Sequence, residues 1–178
     1  PPDHGRRRGP RGRSAPRSDG RGDDRSLERL RRLERRADRR TNGRDDDVDL
    51  VFDLQEEGTR VRSRLAVRRN PDGPGGDLHL DGEGLQQVWL RVDGNELAAD
   101  RYRVDSDSLT LFDPPGAFVL ESEVIIAPQD NTALEGLYRS GAMFCTQCEP
   151  EGFRKITWFA DRPDVMARFS VRVEADQS

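Results

Sequence analysis

The sequence is poor in residues that bind metals and has no long apolar run. Its 178 residues include two histidines and two cysteines, and aromatic residues make up 6% of the chain. Two cysteines are too few to cross-link a small secreted scaffold. No apolar run approaches the about 18 to 20 residues of a membrane-spanning helix, so we expect no membrane partner. The first residues, Pro1-Pro2-Asp3-His4, contain no apolar secretory core, and we therefore expect a cytoplasmic location.

Charge is divided unevenly along the chain. Residues 1–44 contain 16 arginines and seven acidic residues, a balance of +9, whereas the remaining residues carry a balance of −13. The first part has few apolar residues, which predicts a disordered tail with at most a marginal helix over residues 26–40. An arginine-rich arm for nucleic acid is one interpretation of this tail. A solvated leader is favoured over it, because residues 1–44 contain no aromatic side chain to stack on bases.

From residue 45 onward the apolar residues recur with a period of two, which is typical of half-buried β-strands. Glycine and proline turn signals separate these alternating segments. The predicted strands lie within residues 48–54, 61–67, 78–80, 88–92, 102–104, 109–111, 118–126 and 169–173. A hairpin is expected around Ser140-Gly141, and a helical turn near residues 163–167. The spacing predicts a mainly β fold over residues 45–178, a saddle-shaped, mostly antiparallel, sandwich-like domain.

Two cysteines share the spacing Cys145-x-x-Cys148, which occurs both in zinc sites and in redox pairs. A structural zinc ion needs four ligands, and the histidines His4 and His79 are not paired in the sequence. A thioredoxin-like redox pair requires a βαβ setting, which the pattern does not provide. We therefore expect no metal site in this chain and two buried, unreactive thiols.

A polar loop follows the predicted hairpin, and Gln147, Glu149 and Glu151 alternate along it. Side chains two residues apart point the same way in an extended chain, and Pro150 restricts the backbone of the residue before it. A ledge of this kind can hold a cationic or amide-bearing ligand. The alternative is an ordinary polar loop anchored by Arg154 or Arg162, and the pattern alone favours this alternative.

The same region closely resembles the N-terminal domain of bacterial aminopeptidase N, of the gluzincin class of zinc metalloaminopeptidases. The resemblance is carried by N-T-A-L-E-G-L-Y at residues 131–138 and by C-T-Q-C-E-P-E-G-F-R-K-I-T-W-F-A-D-R-P-D-V-M-A-R-F at residues 145–169. A weaker resemblance extends upstream to about residue 45 through L-H-L-D-G-E-G-L and D-V-D-L-V-F-D-L. Residues 1–44 show no such resemblance.

The resemblance implies a β domain that caps a thermolysin-like catalytic domain and sends a loop into its active site. It implies that Glu149 binds the free α-ammonium group of a peptide substrate, and that Gln147 lines the pocket for the first side chain. A carboxylate that faces an ammonium group makes a strong charge-assisted hydrogen bond, which selects peptides with a free amino end. The implied partners are such peptides and the catalytic domain of the same polypeptide.

The family's catalytic motifs do not occur in these 178 residues. Its zinc site is H-E-x-x-H on a helix with a further glutamate, and neither that motif nor the exopeptidase motif G-x-M-E-N is present. We therefore expect a piece truncated before the catalytic domain, incomplete at its C-terminus and inactive alone, whose parent binds zinc elsewhere. The alternatives are a free-standing β-sandwich binding module with a nucleic-acid-binding tail, and a non-catalytic scaffold that keeps the fold.

Overall fold

The computed structural model describes residues 43–71, 73 and 75–175, so the predicted tail up to residue 42 lies outside the described residues. Within the described part, the 3-10 helices are Ala99–Arg101, Pro128–Asp130 and Phe153–Lys155. None of them is long and apolar enough to cross a membrane. The strands are β1 (Gly43–Gln55), β2 (Gly58–Arg69), β3 (Leu78–Asp81), β4 (Gln86–Val92), β5 (Asn95–Glu96), β6 (Tyr102–Val104), β7 (Ser108–Leu111), β8 (Ala117–Ile126), β9 (Gly136–Ser140), β10 (Met143–Gln147) and β11 (Arg168–Ala175).

The strands form two sheets and a separate hairpin. The main sheet has the order β11-β1-β2-β8-β4-β5, the second sheet has the order β3-β7-β6, and β9 pairs with β10. All paired neighbours are antiparallel except β1 and β11, which run parallel. The prediction of a mainly β, mostly antiparallel fold is therefore confirmed.

Strand β2 shows why the alternating pattern fixes the main sheet. Val61, Leu65 and Val67 are buried on one face, and the arginines between them project from the other face. On that outer face Arg60 pairs with Glu123 of β8 at 2.8 Å. Exposed ion pairs of this kind contribute little, so burial of the apolar face sets the register.

A buried segment, residues 156–160, joins the loop that follows β10 to the core of the domain. Trp158 is 1% exposed, and a Cβ added to Gly82 would lie 2.1 Å from its ring, so only glycine leaves room for the indole. The indole nitrogen donates to the Gln87 side chain. Phe159 and Asp81 exchange two backbone hydrogen bonds, at 2.8 and 3.1 Å. The chain that follows the loop is therefore held at several independent points.

Two predicted details are wrong. Residues 163–164 form a single turn, closed by a 3.1 Å hydrogen bond from the Val165 amide to the Arg162 carbonyl, rather than a helical turn. Pairing of β11 with β1 begins at Arg168, which draws the following residues into an extended chain. The predicted burial of both thiols is also wrong, since Cys145 and Cys148 are free and only half-buried.

Candidate functional site

The polar residues singled out by the sequence lie where β10 ends. Gln147 is the last residue of β10 and pairs with Gly136 of β9. The side chains of Gln147, Glu149 and Glu151 are all exposed. The Glu149–Pro150 peptide bond is cis, and the chain bends over residues 149–151. An extended chain, the condition for a ledge of three aligned side chains, is therefore not met over residues 149–151.

The two ends of this loop are drawn together at a glycine. Gly152 has φ of +153°, a conformation that residues with a Cβ rarely adopt. A Cβ at this position would lie 2.8 Å from the Gln147 carbonyl oxygen and 3.1 Å from the Gly136 nitrogen. Both neighbours are backbone atoms and have little freedom to move. Residues 148–151 thus form a short loop with a closed base, which we call the polar loop.

A buried ion pair lies beneath the polar loop. Arg154 is 5% exposed and Asp161 is 6% exposed. The Arg154 Nε donates to Asp161 Oδ2 at 2.7 Å, and its Nη2 donates to the Asp161 carbonyl at 2.9 Å. The same Nη2 lies 2.7 Å from Glu151 Oε2. Asp161 Oδ2 also accepts hydrogen bonds from the backbone amides of Gly152, at 3.0 Å, and Arg154, at 3.2 Å.

The acidic neighbours of Arg154 determine its electrostatics. Desolvation by burial on its own would lower the pKa of Arg154, but the hydrogen bond and the charge of Asp161 outweigh it. With smaller contributions from Asp81 and Glu151, the net effect is a raised pKa for Arg154. The guanidinium group therefore stays charged inside the domain, where it compensates the buried Asp161.

Cys148 begins the polar loop and is not activated as a nucleophile. Burial, followed by the negative charge of Asp161, raises the pKa of the Cys148 thiol. A raised pKa reduces the fraction of thiolate, which is the reactive form. The expectation of an unreactive thiol is thus supported for Cys148, although its side chain is only half-buried.

Three aromatic rings pack beside the base of the polar loop. The Phe153 ring lies 4.8 Å from Phe159 and 5.4 Å from Phe169, measured between centroids. Both pairs have edge-to-face geometry, which is favourable for aromatic side chains. Phe159 belongs to the buried segment and Phe169 to β11, so the residue after Gly152 is attached to two further elements.

Glu149 differs from its acidic neighbours in having no partner for its carboxylate among the residues that the structure describes. Its backbone carbonyl accepts a hydrogen bond from Gln147 Nε2 at 3.2 Å. Glu151, in contrast, is tied to Arg154. The loop therefore presents the exposed Glu149 carboxylate, unpaired among the described side chains, on a base held by an internal ion pair.

The described residues do not fit a zinc ion. No group of three or more His, Cys, Asp or Glu side chains in this part of the chain is arranged to hold a metal. His79 lies in β3, where its Nδ1 is 3.0 Å from the Thr110 hydroxyl of β7. A groove of about 330 Å³ is lined by Ile126, Leu137, Lys155 and others, and none of the predicted site residues lines it.

Sequence reasoning missed the residues that shape the polar loop. It proposed Arg154 only as one of two possible anchors, and it gave Asp161 and Gly152 no role. Glycine directly after an acidic, proline-containing loop is a local signal that could have indicated a tight closure. The pairing of Arg154 with Asp161 depends on the path of the buried segment between them, which no short spacing rule predicts.

Comparison with known proteins supports one family. The family of the Peptidase M1 N-terminal domain matches residues 116–178. Aminopeptidase N of Caulobacter vibrioides is 56% identical over 127 residues, which are 71% of this chain and 15% of that protein. Aminopeptidase N of Escherichia coli K12 is 43% identical over 133 residues, 74% of this chain and 15% of that protein. The chain thus spans about 15% of the length of these curated relatives.

A solved structure agrees with these relatives. Aminopeptidase A of Legionella pneumophila, crystallised in complex with aspartic acid, matches with a TM-score of 0.69 and 31% sequence identity. The match covers 75% of this chain and 16% of that chain. Its extent corresponds to the β domain described here, which occupies the chain from β1 to β11.

Proposed function

We infer the function of this chain from one premise, that it belongs to the Peptidase M1 N-terminal domain family and is closely related to bacterial aminopeptidase N. We propose that its β domain is the substrate-binding cap of a zinc aminopeptidase that removes N-terminal amino acids from peptides. The observation that carries this proposal is the exposed carboxylate of Glu149, which has no partner in the described part of the chain and lies on a loop with a fixed base.

In this proposal Glu149 binds the α-ammonium group of the peptide. A carboxylate already paired with arginine would have to give up that partner, whereas Glu149 has none among the described residues. Charge-assisted hydrogen bonds between a carboxylate and an ammonium group are about twice as strong as neutral ones. Recognition of the ammonium group restricts cleavage to the first peptide bond, which is exopeptidase action.

Gln147 lies beside Glu149 and contributes to the same surface. Its side-chain amide donates to the Glu149 carbonyl at 3.2 Å, which connects the end of β10 to the polar loop. In the proposed complex the exposed Gln147 side chain lines the pocket for the first residue of the peptide. Its hydrogen bond to the loop backbone limits the orientations that Gln147 adopts.

The catalytic part of the enzyme is proposed to lie elsewhere in the same polypeptide, together with the zinc ligands, because the described residues do not fit a metal. Strand β11 supports a contact with such a part. Phe169, Val171 and Val173 are 49%, 59% and 58% exposed, yet they pair with residues of β1 that are at most 8% exposed. This apolar face of β11 is suited to packing against further protein. The cytoplasmic location stays a prediction.

Glu149→Gln in the complete aminopeptidase that carries this domain tests the proposal. The change keeps the shape of the side chain and removes its charge, so kcat/KM for alanine p-nitroanilide is expected to fall about 10- to 100-fold, as for loss of a hydrogen bond to a charged group. Glu135→Gln is the matched control, since Glu135 is also exposed but lies outside the polar loop. An unchanged kcat/KM in Glu149→Gln refutes the role of Glu149.

A further inference from the structure

One carboxylate oxygen lies at the centre of the hydrogen bonds beneath the polar loop. Asp161 Oδ2 accepts three hydrogen bonds, from the Gly152 amide, the Arg154 amide and Arg154 Nε. The guanidinium group continues this network outward to Glu151, at 2.7 Å. Each of these bonds therefore joins Asp161 or Glu151 to Gly152 or Arg154, which lie at or just after the base of the polar loop.

We propose that Arg154 and Asp161 are positioning residues, which hold the polar loop so that the Glu149 carboxylate faces the ammonium group of the peptide. This inference rests on the function proposed above for Glu149. Neither residue contacts the substrate in this arrangement, because both are buried below the loop.

The rest of the domain does not need this ion pair for its attachment. Trp158 and Phe159 hold the buried segment through Gln87 and Asp81, with hydrogen bonds that do not involve Arg154. Removing two charges from water is costly, and apolar side chains of similar volume often stabilise a core equally well. Outside the pair itself, the two side chains bond to the Gly152 amide and to the Glu151 carboxylate, so the geometry of the loop explains the pair better than the stability of the core does.

The network also distributes charge among the acidic residues of the loop. Arg154 is shared between Glu151 and Asp161, and its guanidinium is turned toward these two carboxylates. The buried guanidinium leaves the Glu149 carboxylate without an internal partner in the described part of the chain. Glu149 therefore keeps its charge available for a ligand although an arginine lies five residues away in the sequence.

Two variants separate positioning from folding. Arg154→Lys keeps a positive charge but loses the planar fork that reaches Asp161 and Glu151 together. The double variant Arg154→Met/Asp161→Leu replaces the pair with apolar side chains, and the core is expected to stay folded. Arg162→Gln serves as the matched control, since it also removes an arginine charge, and Arg162 pairs with the exposed Asp164 rather than with Glu151 or Asp161.

In the 178-residue chain, the hydrogen-exchange protection factors of the Gly152 and Arg154 amides are expected to fall at least about 10-fold in both variants. Thermal unfolding is expected to stay cooperative. In the complete enzyme, KM for alanine p-nitroanilide is expected to rise about 10- to 100-fold, as for misplacement of a binding group, with kcat little changed. Arg162→Gln is expected to change neither quantity.

A double-mutant cycle supplies the decisive comparison. If Arg154 acts through Glu149, then Arg154→Lys adds less than about twofold to the KM of Glu149→Gln, because the group being positioned is already lost. Additive effects overturn the positioning role, and so does a folded apolar double variant with the KM of the parent enzyme. An unaltered KM in Glu149→Gln alone refutes the proposed function instead, so the two failures are distinguishable.

Discussion

Replacing Gly152 by alanine is expected to destabilise the domain by about 4 kcal/mol. The backbone at Gly152 has φ of +153° and ψ of −13°, a region that is costly for any residue with a Cβ. A residue held in such a region costs about 1 to 3 kcal/mol. The new Cβ would also lie 2.8 Å from the Gln147 oxygen and 3.2 Å from the Cys148 Cα, and overpacking of this kind typically adds about 1 to 3 kcal/mol.

Gly141→Ala is the matched control for this change. Gly141 also has a positive φ, of +61°, and lies in the turn between β9 and β10, but an added Cβ would meet nothing within 4 Å. The stability lost in Gly141→Ala is therefore limited to the cost of the left-handed conformation, about 1 kcal/mol. Urea unfolding of the two variants is expected to give free energies that differ by about 3 kcal/mol, a large part of the 5 to 15 kcal/mol typical of a domain.

Hydrogen exchange shows where the strain is released. If Gly152→Ala relaxes by opening the polar loop, the Gly152-position and Arg154 amides exchange faster than those of β2, and Glu149 loses its fixed position. Equal losses of stability in Gly152→Ala and Gly141→Ala would refute the reasoning, because the close contact with Gln147 would then have no energetic consequence.

Two further predictions concern titrating groups. Burial and Asp161 raise the pKa of Cys148, so the rate of its alkylation by iodoacetamide is expected to rise at a higher pH in the folded chain than in urea. Identical midpoints of the two pH profiles would contradict this. The hydrogen bond from Arg162 lowers the pKa of Asp164, so its stabilising effect is present above the unfolded-state pKa and is lost as the pH falls through the folded-state value. Carbon-detected NMR titration is expected to show this lowered pKa for Asp164 and its return toward the ordinary value in Arg162→Gln.

The strands were predictable because burial imposes a period of two on them. In β8, Phe118, Leu120, Ser122, Val124 and Ile126 are all buried, and the residues that alternate with them are more exposed. The hairpins β1–β2 and β9–β10 connect neighbours in sequence, so turn signals at Gly58 and Gly141 were sufficient to indicate them.

The parallel pairing of β11 with β1 was not predictable from the pattern. The two strands are more than a hundred residues apart, and no local signal specifies which distant strand becomes a neighbour. The pattern of Phe169, Val171 and Val173 is that of a buried strand, yet these residues are exposed. Periodicity indicates which residues share a face, but the element that covers that face is a property of the assembled protein.

For the polar loop, the sequence left two interpretations open, a ligand-binding ledge and an ordinary loop anchored by arginine. In the structure each interpretation applies to a different glutamate. Glu151 is anchored by Arg154, whereas Glu149 is unpaired among the described side chains. Alternation along the sequence could not separate the two glutamates, since they have the same chemistry and are two residues apart. The bend after Glu149 and the buried Asp161 separate them, and both depend on where the chain goes after the loop. If Glu151 supports the position of Glu149, Glu151→Gln should weaken peptide binding less than Glu149→Gln does. Arg154 keeps its bonds to Asp161 when Glu151 loses its charge.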